Sequence, residues 1–341
     1  MSGLCGWVGD ADPATLDRML APIDYRGDRS DTARAPGVAL GYRWWGGRPG
    51  KSPGIDREGA RLVVCAGTLA PPVPSPAAAL GARLAPGPDG LDTLDGAFAA
   101  AVWEGDRRRL TLVRDPFGVR SLYYTEHRGV LYFASELKQL LAIPDLPARV
   151  DPVALHKYLT FSFVPGEDVP IEGVRRLLPG RTASWESGRL DVRPYFTLTE
   201  AIDPALEDRP TAVREMRRRF TEAVARRLNG EREVGLYLSG GIDSSAVAWW
   251  LREAGVGVRA LSLDFGSRSV EREQAGAVAA HLGIPLEFVK VGGDDLVPIL
   301  TDLVWKLDLP FGDPVTGPQY LLGRAARAAG LDAIFNGEGG D

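Results

Sequence analysis

The chain has 341 residues, of which 45% are hydrophobic, and it carries a formal net charge of −5. This length can supply two domains with real cores, and the negative charge argues against a general nucleic-acid binder. Two cysteines and three histidines argue against a disulfide framework or a zinc cluster. The sequence shows no signal peptide and no apolar run of about 18 residues in length, so we expect a cytoplasmic protein without a membrane partner.

The first half of the chain reads as short alternating strands separated by turns, which is the pattern of a layered sheet domain. This pattern closes near residues 193–196, and residues 197–210 predict a domain boundary. We therefore expect one domain over residues 1–200 and a second over residues 205–341.

The second half begins with helical spacing over residues 211–228 and then alternates between strand and helix. The predicted elements lie at residues 258–263, 271–282, 286–291, 295–306 and 317–329. Strands that alternate with helices indicate an α/β fold with a parallel, doubly wound sheet. Such sheets bind ligands at the carboxyl ends of their strands, where the strand order reverses.

Residues 236–245, LYLSGGIDSS, read as an apolar strand, a Ser-Gly-Gly turn and the start of a helix. Gly240 and Gly241 let the backbone approach a ligand closely, and the amides at a helix start attract anions. Three hydroxyl side chains add donors: Ser239, Ser244 and Ser245. Asp243 implies a bridging cation such as Mg²⁺, because a carboxylate does not suit bare phosphate.

A second glycine-rich turn follows the apolar residues 333–335 and contains two carboxylates. Because both turns follow strands, both can open onto one crevice at the strand ends. We expect Asp243 and Asp341 to share one Mg²⁺-pyrophosphate, with Glu338 beside the reacting carbon.

These segments resemble the synthetase domain of the asparagine synthetase superfamily, which has the ATP-pyrophosphatase (PP-loop) fold. The resemblance rests on SGGIDSS, on Asp264-Phe265 followed by Glu273, on PFGDP and on the final GEGGD. It implies an ATP-dependent ligase in which ATP adenylates a carboxylate and an amine then displaces AMP. Glu338 would assist the amine, and Asp243 and Asp341 would bind Mg²⁺. Contacts with ATP are implied for Leu238, Ser239, Gly240, Gly241, Asp243, Ser244, Ser245, Leu263 and Gly337.

The first half resembles the class II glutamine amidotransferase domain of the same superfamily, which implies an Ntn-hydrolase-like αββα sandwich. The segments that carry this resemblance are residues 94–102, 113–124, 133–138 and 164–166.

Several pocket positions depart from that family. A working glutaminase uses an N-terminal cysteine with the terminal amine as its base, whereas Cys5 lies inside the chain. Ala66 and Thr68 replace the family's oxyanion donor and amine ligand, and Pro76 stands in its glutamine-binding pair. Arg43 matches the arginine that binds the glutamine carboxylate. Because the nucleophile, the oxyanion donor and the amine ligand of the family are all missing, we expect an inactive glutaminase.

A ligase without glutaminase activity suits a substrate that carries its own amine. The chain resembles most closely the lasso peptide cyclases of RiPP biosynthesis, which join an N-terminal amine to an Asp or Glu side chain in a macrolactam. The implied partners are a precursor (core) peptide, a leader peptidase and a leader-recognition protein. Alternatives are a β-lactam synthetase, a glutamine- or ammonia-dependent asparagine synthetase-type amidotransferase and a non-catalytic scaffold. Since this family continues beyond GEGGD with a helical region that supplies a lysine, we expect a longer protein.

Overall fold

The computed structural model describes residues 2–46, 54–84, 90–266 and 270–339. It divides into two compact units. The first comprises Met1–Thr199 with Asp308–Phe311, and the second comprises Glu200–Leu307 with Gly312–Asp341. Among the described residues, every helix is too short or too polar to span a membrane.

The described part of the first unit contains two antiparallel sheets of six strands each. Their strands are β1 (Gly3–Val8), β2 (Arg29–Ala35), β3 (Val38–Trp44), β4 (Ile55–Glu58), β5 (Arg61–Ala70), β6 (Asp95–Glu104), β7 (Arg109–Arg114), β8 (Tyr123–His127), β9 (Val130–Ala134), β10 (Val174–Arg176), β11 (Arg181–Glu186) and β12 (Arg189–Pro194). The strand order is β10-β8-β9-β1-β3-β2 in one sheet and β12-β11-β7-β6-β5-β4 in the other. The helices are α1 (Thr15–Leu20), α2 (Pro76–Leu84), α3 (Leu137–Leu141) and α4 (Pro152–Phe161).

The two sheets pack face to face and carry helices on their outer faces. In β6, Ala99, Ala101 and Trp103 face the opposite sheet. The alternate residues Phe98 and Val102 pack in the cluster that includes α2, as the two-residue period of a strand requires. Helices α1 and α3 cover the outer face of the other sheet. The layers are therefore helix, sheet, sheet and helix, which confirms the predicted αββα sandwich.

The segment Asp308–Phe311 belongs to the first unit although its neighbours in the chain belong to the second. Its Asp308 carboxylate accepts hydrogen bonds from the main-chain N–H groups of Leu137 and Lys138 and from the Lys138 ammonium. The side chains of both Asp308 and Lys138 are more than nine-tenths buried. The segment is therefore held by a buried ion pair at the start of α3.

The second unit contains a parallel four-stranded sheet in its described residues. Its elements are α5 (Arg209–Leu228), β13 (Glu233–Tyr237), α6 (Ile242–Glu253), β14 (Gly257–Asp264), α7 (Val270–Leu282), β15 (Leu286–Lys290), α8 (Gly293–Leu296), α9 (Leu300–Leu307), α10 (Thr316–Ala328) and β16 (Ile334–Phe335). The strand order is β15-β14-β13-β16. Helices α5, α6 and α7 pack on one face, and α10 packs on the other.

This arrangement confirms the predicted doubly wound sheet. The chain moves outward from β13 to β14 and β15 and then returns to place β16 on the other side of β13. The strand order therefore reverses at β13, and a ligand crevice is expected at its carboxyl end.

The helical stretch predicted over residues 295–306 is confirmed, but its helix type changes in the middle. The structure has α8, a 3₁₀ turn at Val297–Ile299 and then α9. Pro298 lies within the 3₁₀ turn, and it lacks the N–H that a continuous α-helix needs at that position.

Candidate functional site

The two glycine-rich turns meet at the carboxyl ends of β13 and β16. These strands pair in parallel, with Leu236 opposite Phe335, so both strands end at the same edge of the sheet. A Cβ atom built on Gly337 would lie only 2.6 Å from the main-chain nitrogen of Ser244. The backbone of the second turn therefore rests directly against the first turn of α6, and only glycine leaves room for this contact.

The first turn is held together by its own hydroxyl groups. The Ser239 N–H donates to Ser244 Oγ at a distance of 3.3 Å, and the Oγ atoms of Ser239 and Ser244 lie 3.0 Å apart. The Gly241 N–H donates to Ser239 Oγ over 3.2 Å. Gly241 is the N-cap of α6 and supplies no side-chain cap. The helix therefore begins with amides that can bind an anion, as the sequence predicts.

Gly240 is required by its surroundings as well as by its conformation. Its φ is +81°, and an added Cβ would lie 2.5 Å from the main-chain nitrogen of Ala275 on α7. A side chain at this position would push the turn away from α7. The Ser-Gly-Gly sequence thus fits a turn that is tightly packed from behind and open in front, since Ser239 and Gly241 are exposed.

Glu338 is oriented by two amide side chains. Its carboxylate accepts a hydrogen bond from Gln319 Nε2 on α10 and another from Asn336 Nδ2 at 3.3 Å. Burial first, and then the charge of Glu338, raise the pKa of Tyr237 at the end of β13. Neither Gln319 nor Asn336 is among the residues that the sequence motifs predict. Asn336 could have been found from its place beside GEGGD, whereas nothing local distinguishes Gln319.

Leu238 and Leu263, two of the residues predicted to contact ATP, are both buried, but on opposite faces of the sheet. Leu238 packs with the residues of α6 and α7, and Leu263 packs with those of α10. The two side chains therefore do not belong to one hydrophobic cluster. Ser245 Oγ is buried without a hydrogen-bond partner among the described residues.

The predicted metal site stays a prediction. Asp243 lies in the first turn of α6 and is partly exposed at the same edge as Glu338. Asp341 lies outside the described residues. Within the described ranges, no group of three or more His, Cys, Asp or Glu side chains is placed to hold a metal ion.

The first unit places the glutaminase positions in structural roles. Cys5 is fully buried in the middle of β1, between Gly41 on β3 and Ala134 on β9. Burial raises the pKa of its thiol well above the ordinary range, which opposes formation of the nucleophilic thiolate. Arg43 donates to the main-chain oxygens of Gly27 at 2.9 Å and Leu20 at 3.5 Å.

The remaining predicted pocket positions hold an alanine, a threonine and a proline. Ala66 is 1% exposed and has no polar side-chain atom. Thr68 is exposed on β5, and Pro76 is the first residue of α2. Ser75, which precedes it, accepts a hydrogen bond from the Ala78 N–H at 3.2 Å and so stabilises the start of that helix.

Comparison with known proteins gives a separate family match for each half of the chain. Residues 215–341 match the family model of asparagine synthase, and residues 80–196 match that of a glutamine amidotransferase domain. Asparagine synthetase (glutamine-hydrolyzing) 1 of Bacillus subtilis is 30% identical over 73% of this chain and 39% of its own length. The amidase chyE of Penicillium rubens is 30% identical over 74% of this chain and 40% of its own length. The chain thus spans about two-fifths of each of these relatives. The second half of the chain is thus similar to asparagine synthase, and part of the first half is similar to a glutamine amidotransferase domain.

Proposed function

We propose that this chain forms the nucleotide-binding part of an ATP-dependent ligase that adenylates a carboxylate and then forms an amide, releasing AMP and pyrophosphate. The observation that carries the proposal is the backbone contact between Gly337 and Ser244. It brings the carboxylate-bearing turn against the anion-binding turn at the point where the strand order reverses. An ordinary strand-to-helix turn does not need this second turn beside it.

Several residues of the two turns have proposed roles in this chemistry. The amides that open α6, together with the hydroxyls of Ser239 and Ser244, bind the phosphates of ATP. Asp243 and Asp341 are the proposed ligands of Mg²⁺, which would neutralise charge on the departing pyrophosphate. A carboxylate oxygen of the substrate attacks the α-phosphorus of ATP, and pyrophosphate leaves.

Glu338 acts in the second step. The amine nitrogen attacks the acyl carbon of the adenylate, AMP leaves and Glu338 accepts the proton that the amine loses. Gln319 and Asn336 fix the direction of the Glu338 carboxylate. Holding the amine and the adenylate together supplies the effective concentration that favours the amine over water.

ATP–pyrophosphate exchange by the full-length protein separates the two steps. Glu338→Gln should slow amide formation while leaving the exchange, which reports only adenylation, close to wild type. Glu253→Gln, at the far end of α6, is the matched control and should change neither. Equal loss of both reactions in Glu338→Gln would contradict the role in the second step. Absence of exchange with every carboxylate tried would favour a non-catalytic scaffold.

We further propose that the attacking amine belongs to the substrate itself, as in lasso peptide macrolactam formation. The support is the burial of Cys5 and the loss of glutamine ligands at Ala66, Thr68 and Pro76. Arg43, the retained match, is engaged by two carbonyl oxygens. The substrate on this reading is a precursor (core) peptide with an Asp or Glu side chain, supplied by a leader peptidase and a leader-recognition protein.

Incubation of the full-length protein with a leaderless core peptide, ATP and Mg²⁺ tests the source of the amine. The expected product has the mass of the peptide minus one water, and no ammonia is consumed. No glutamate should be released from glutamine, and Cys5→Ala should not alter turnover. A linear amide that forms only with added ammonia or glutamine would instead support the asparagine synthetase-type reaction that the names of the relatives suggest. A four-membered lactam from a small amino acid would support a β-lactam synthetase.

A further inference from the structure

The apolar face of α5 is longer than the surface that covers it. Phe220 on this face packs on α6, where its ring stacks on that of Trp250 with the centroids 4.3 Å apart. Trp250 Nε1 also donates to Thr221 Oγ1 at 2.7 Å. Val213 and Met216 lie on the same face by helical spacing, one and two turns before Phe220, yet they are 43% and 64% exposed. The described residues therefore leave the earlier part of this apolar face uncovered.

Basic side chains lie beside this uncovered face. The guanidinium carbon of Arg217 lies 5.8 Å from the ring centroid of Trp249, which is itself exposed on α6. Arg214 donates to a threonine hydroxyl at 2.8 Å, and within the described ranges neither of these arginines forms an ion pair. Helix α5 contains seven arginines and two glutamates, and both glutamates pair with Arg218. A basic surface with apolar side chains remains, which we call the α5 patch: Val213, Arg214, Met216, Arg217 and Trp249.

The segment that precedes α5 carries the opposite charge. Residues 200–207, EAIDPALE, contain three carboxylates and no basic residue. Ile202 is 88% exposed, and regular structure in this segment is limited to the 3₁₀ turn Pro204–Leu206. The segment therefore presents an uncovered apolar side chain between the carboxylates of Glu200 and Asp203. This arrangement is complementary to the α5 patch in both hydrophobicity and charge.

The acidic segment does not cover the patch of its own chain. It enters α5 through Asp208, whose carboxylate caps the helix by accepting a hydrogen bond from the Thr211 N–H at 3.0 Å. To reach Met216, the segment would have to fold back along about two turns of the helix that it begins. Ile202 and Met216 both remain exposed instead. The same segment of a second copy has no such tether and can approach the patch from solution.

We propose that the α5 patch binds residues 200–207 of a second copy of this chain. In this contact Ile202 packs against Val213 and Met216, and the carboxylates of the segment pair with Arg214 and Arg217. Because each copy carries both surfaces, two equivalent contacts form about a two-fold axis. Aromatic, methionine and arginine side chains, which the patch supplies, are enriched in protein interfaces. The proposal does not depend on the ATP chemistry of the second unit.

Sedimentation velocity of the full-length protein over a range of concentrations tests this contact. The wild type should form a dimer. Met216→Asp, which puts a charge into the apolar part of the patch, should weaken the dimer by about tenfold or more. Ile202→Asp, which removes the apolar side chain of the segment, should do the same. Both positions are exposed within one chain, so neither change should lower Tm under conditions where the protein is a monomer.

A mixture of the two variants identifies the contact. Ile202→Asp keeps an intact α5 patch and Met216→Asp keeps an intact acidic segment, so together they can form one of the two contacts. The equimolar mixture should therefore associate more strongly than either variant alone. Arg128 is an exposed arginine paired with Asp145 in the first unit, so Arg128→Glu is the control and should dimerise like the wild type. A monomeric wild type, a dimer that either variant retains at full strength, or a mixture no stronger than its components would overturn the proposal.

Discussion

Gly337→Ala tests the contact between the two turns with a single methyl group. The new Cβ would lie 2.6 Å from the Ser244 nitrogen and 3.0 Å from its Cα atom, whereas ordinary contact begins at 3.4 Å. The two backbones must therefore separate by about 0.8 Å, and a misplacement of about 1 Å can cost about 100-fold in rate. Because neither neighbouring atom belongs to a flexible side chain, the strain cannot be relieved by a rotamer change.

We expect Gly337→Ala to lower the rate of ATP–pyrophosphate exchange by about 100-fold, while stability falls by about 1–3 kcal/mol, as is usual for overpacking. Gly276→Ala is the matched control, because an added Cβ there has no neighbour within 4 Å. Gly276 lies within α7, so this change should stabilise the protein by about 0.5–1 kcal/mol and leave exchange unchanged. Exchange by Gly337→Ala within about twofold of the wild type would refute the inference that this contact shapes the phosphate site.

Three further outcomes are expected. Asp243→Asn should lower exchange by at least about 100-fold while Asp294→Asn on α8 does not; full activity of Asp243→Asn at limiting Mg²⁺ would show that the metal lies elsewhere. Asp115→Ala should cost about 3–5 kcal/mol in urea denaturation because it leaves three main-chain N–H groups without their acceptor, and a loss below about 1 kcal/mol would contradict this. A hydrogen bond from Lys157 lowers the pKa of Asp168 below its ordinary 3.8. The pairing of Lys157 with Asp168 therefore stabilises the folded protein above pH 3.8, and this stabilisation is lost as pH falls through the lowered pKa. The destabilisation caused by Lys157→Met should shrink as pH falls below about 4, and a constant difference would count against the pairing.

Much of the fold follows from local patterns in the sequence. The strand predicted over residues 258–263 is found as Gly257–Asp264, and that over 286–291 as Leu286–Lys290. Both strand predictions depend on short apolar runs that are flanked by turn residues. Such a pattern is set by residues that are close together in the sequence. The 3₁₀ turn around Pro298 was also predictable, because proline removes a hydrogen bond that a continuous α-helix needs.

The candidate site was predictable only where a general rule connects distant segments. The ends of parallel strands share one edge of a sheet, so the meeting of the two glycine-rich turns could be expected. No such rule connects Gln319 to Glu338, nineteen positions later in the chain. The same is true of Arg43, whose donors bind carbonyl oxygens of residues 20 and 27. Such contacts arise from how helices and connections pack after folding, which periodicity does not encode.

The membership of Asp308–Phe311 in the first unit has a consequence for synthesis of the protein. When the ribosome has completed Thr199, it must still add about 110 residues before Asp308 can reach the start of α3. At about 5–20 residues per second this interval lasts roughly 5–20 s. During that time the Lys138 ammonium has no Asp308 carboxylate to pair with, and the nascent first unit cannot close this part of its structure. The first half of the chain therefore completes its fold only after most of the second half has been translated.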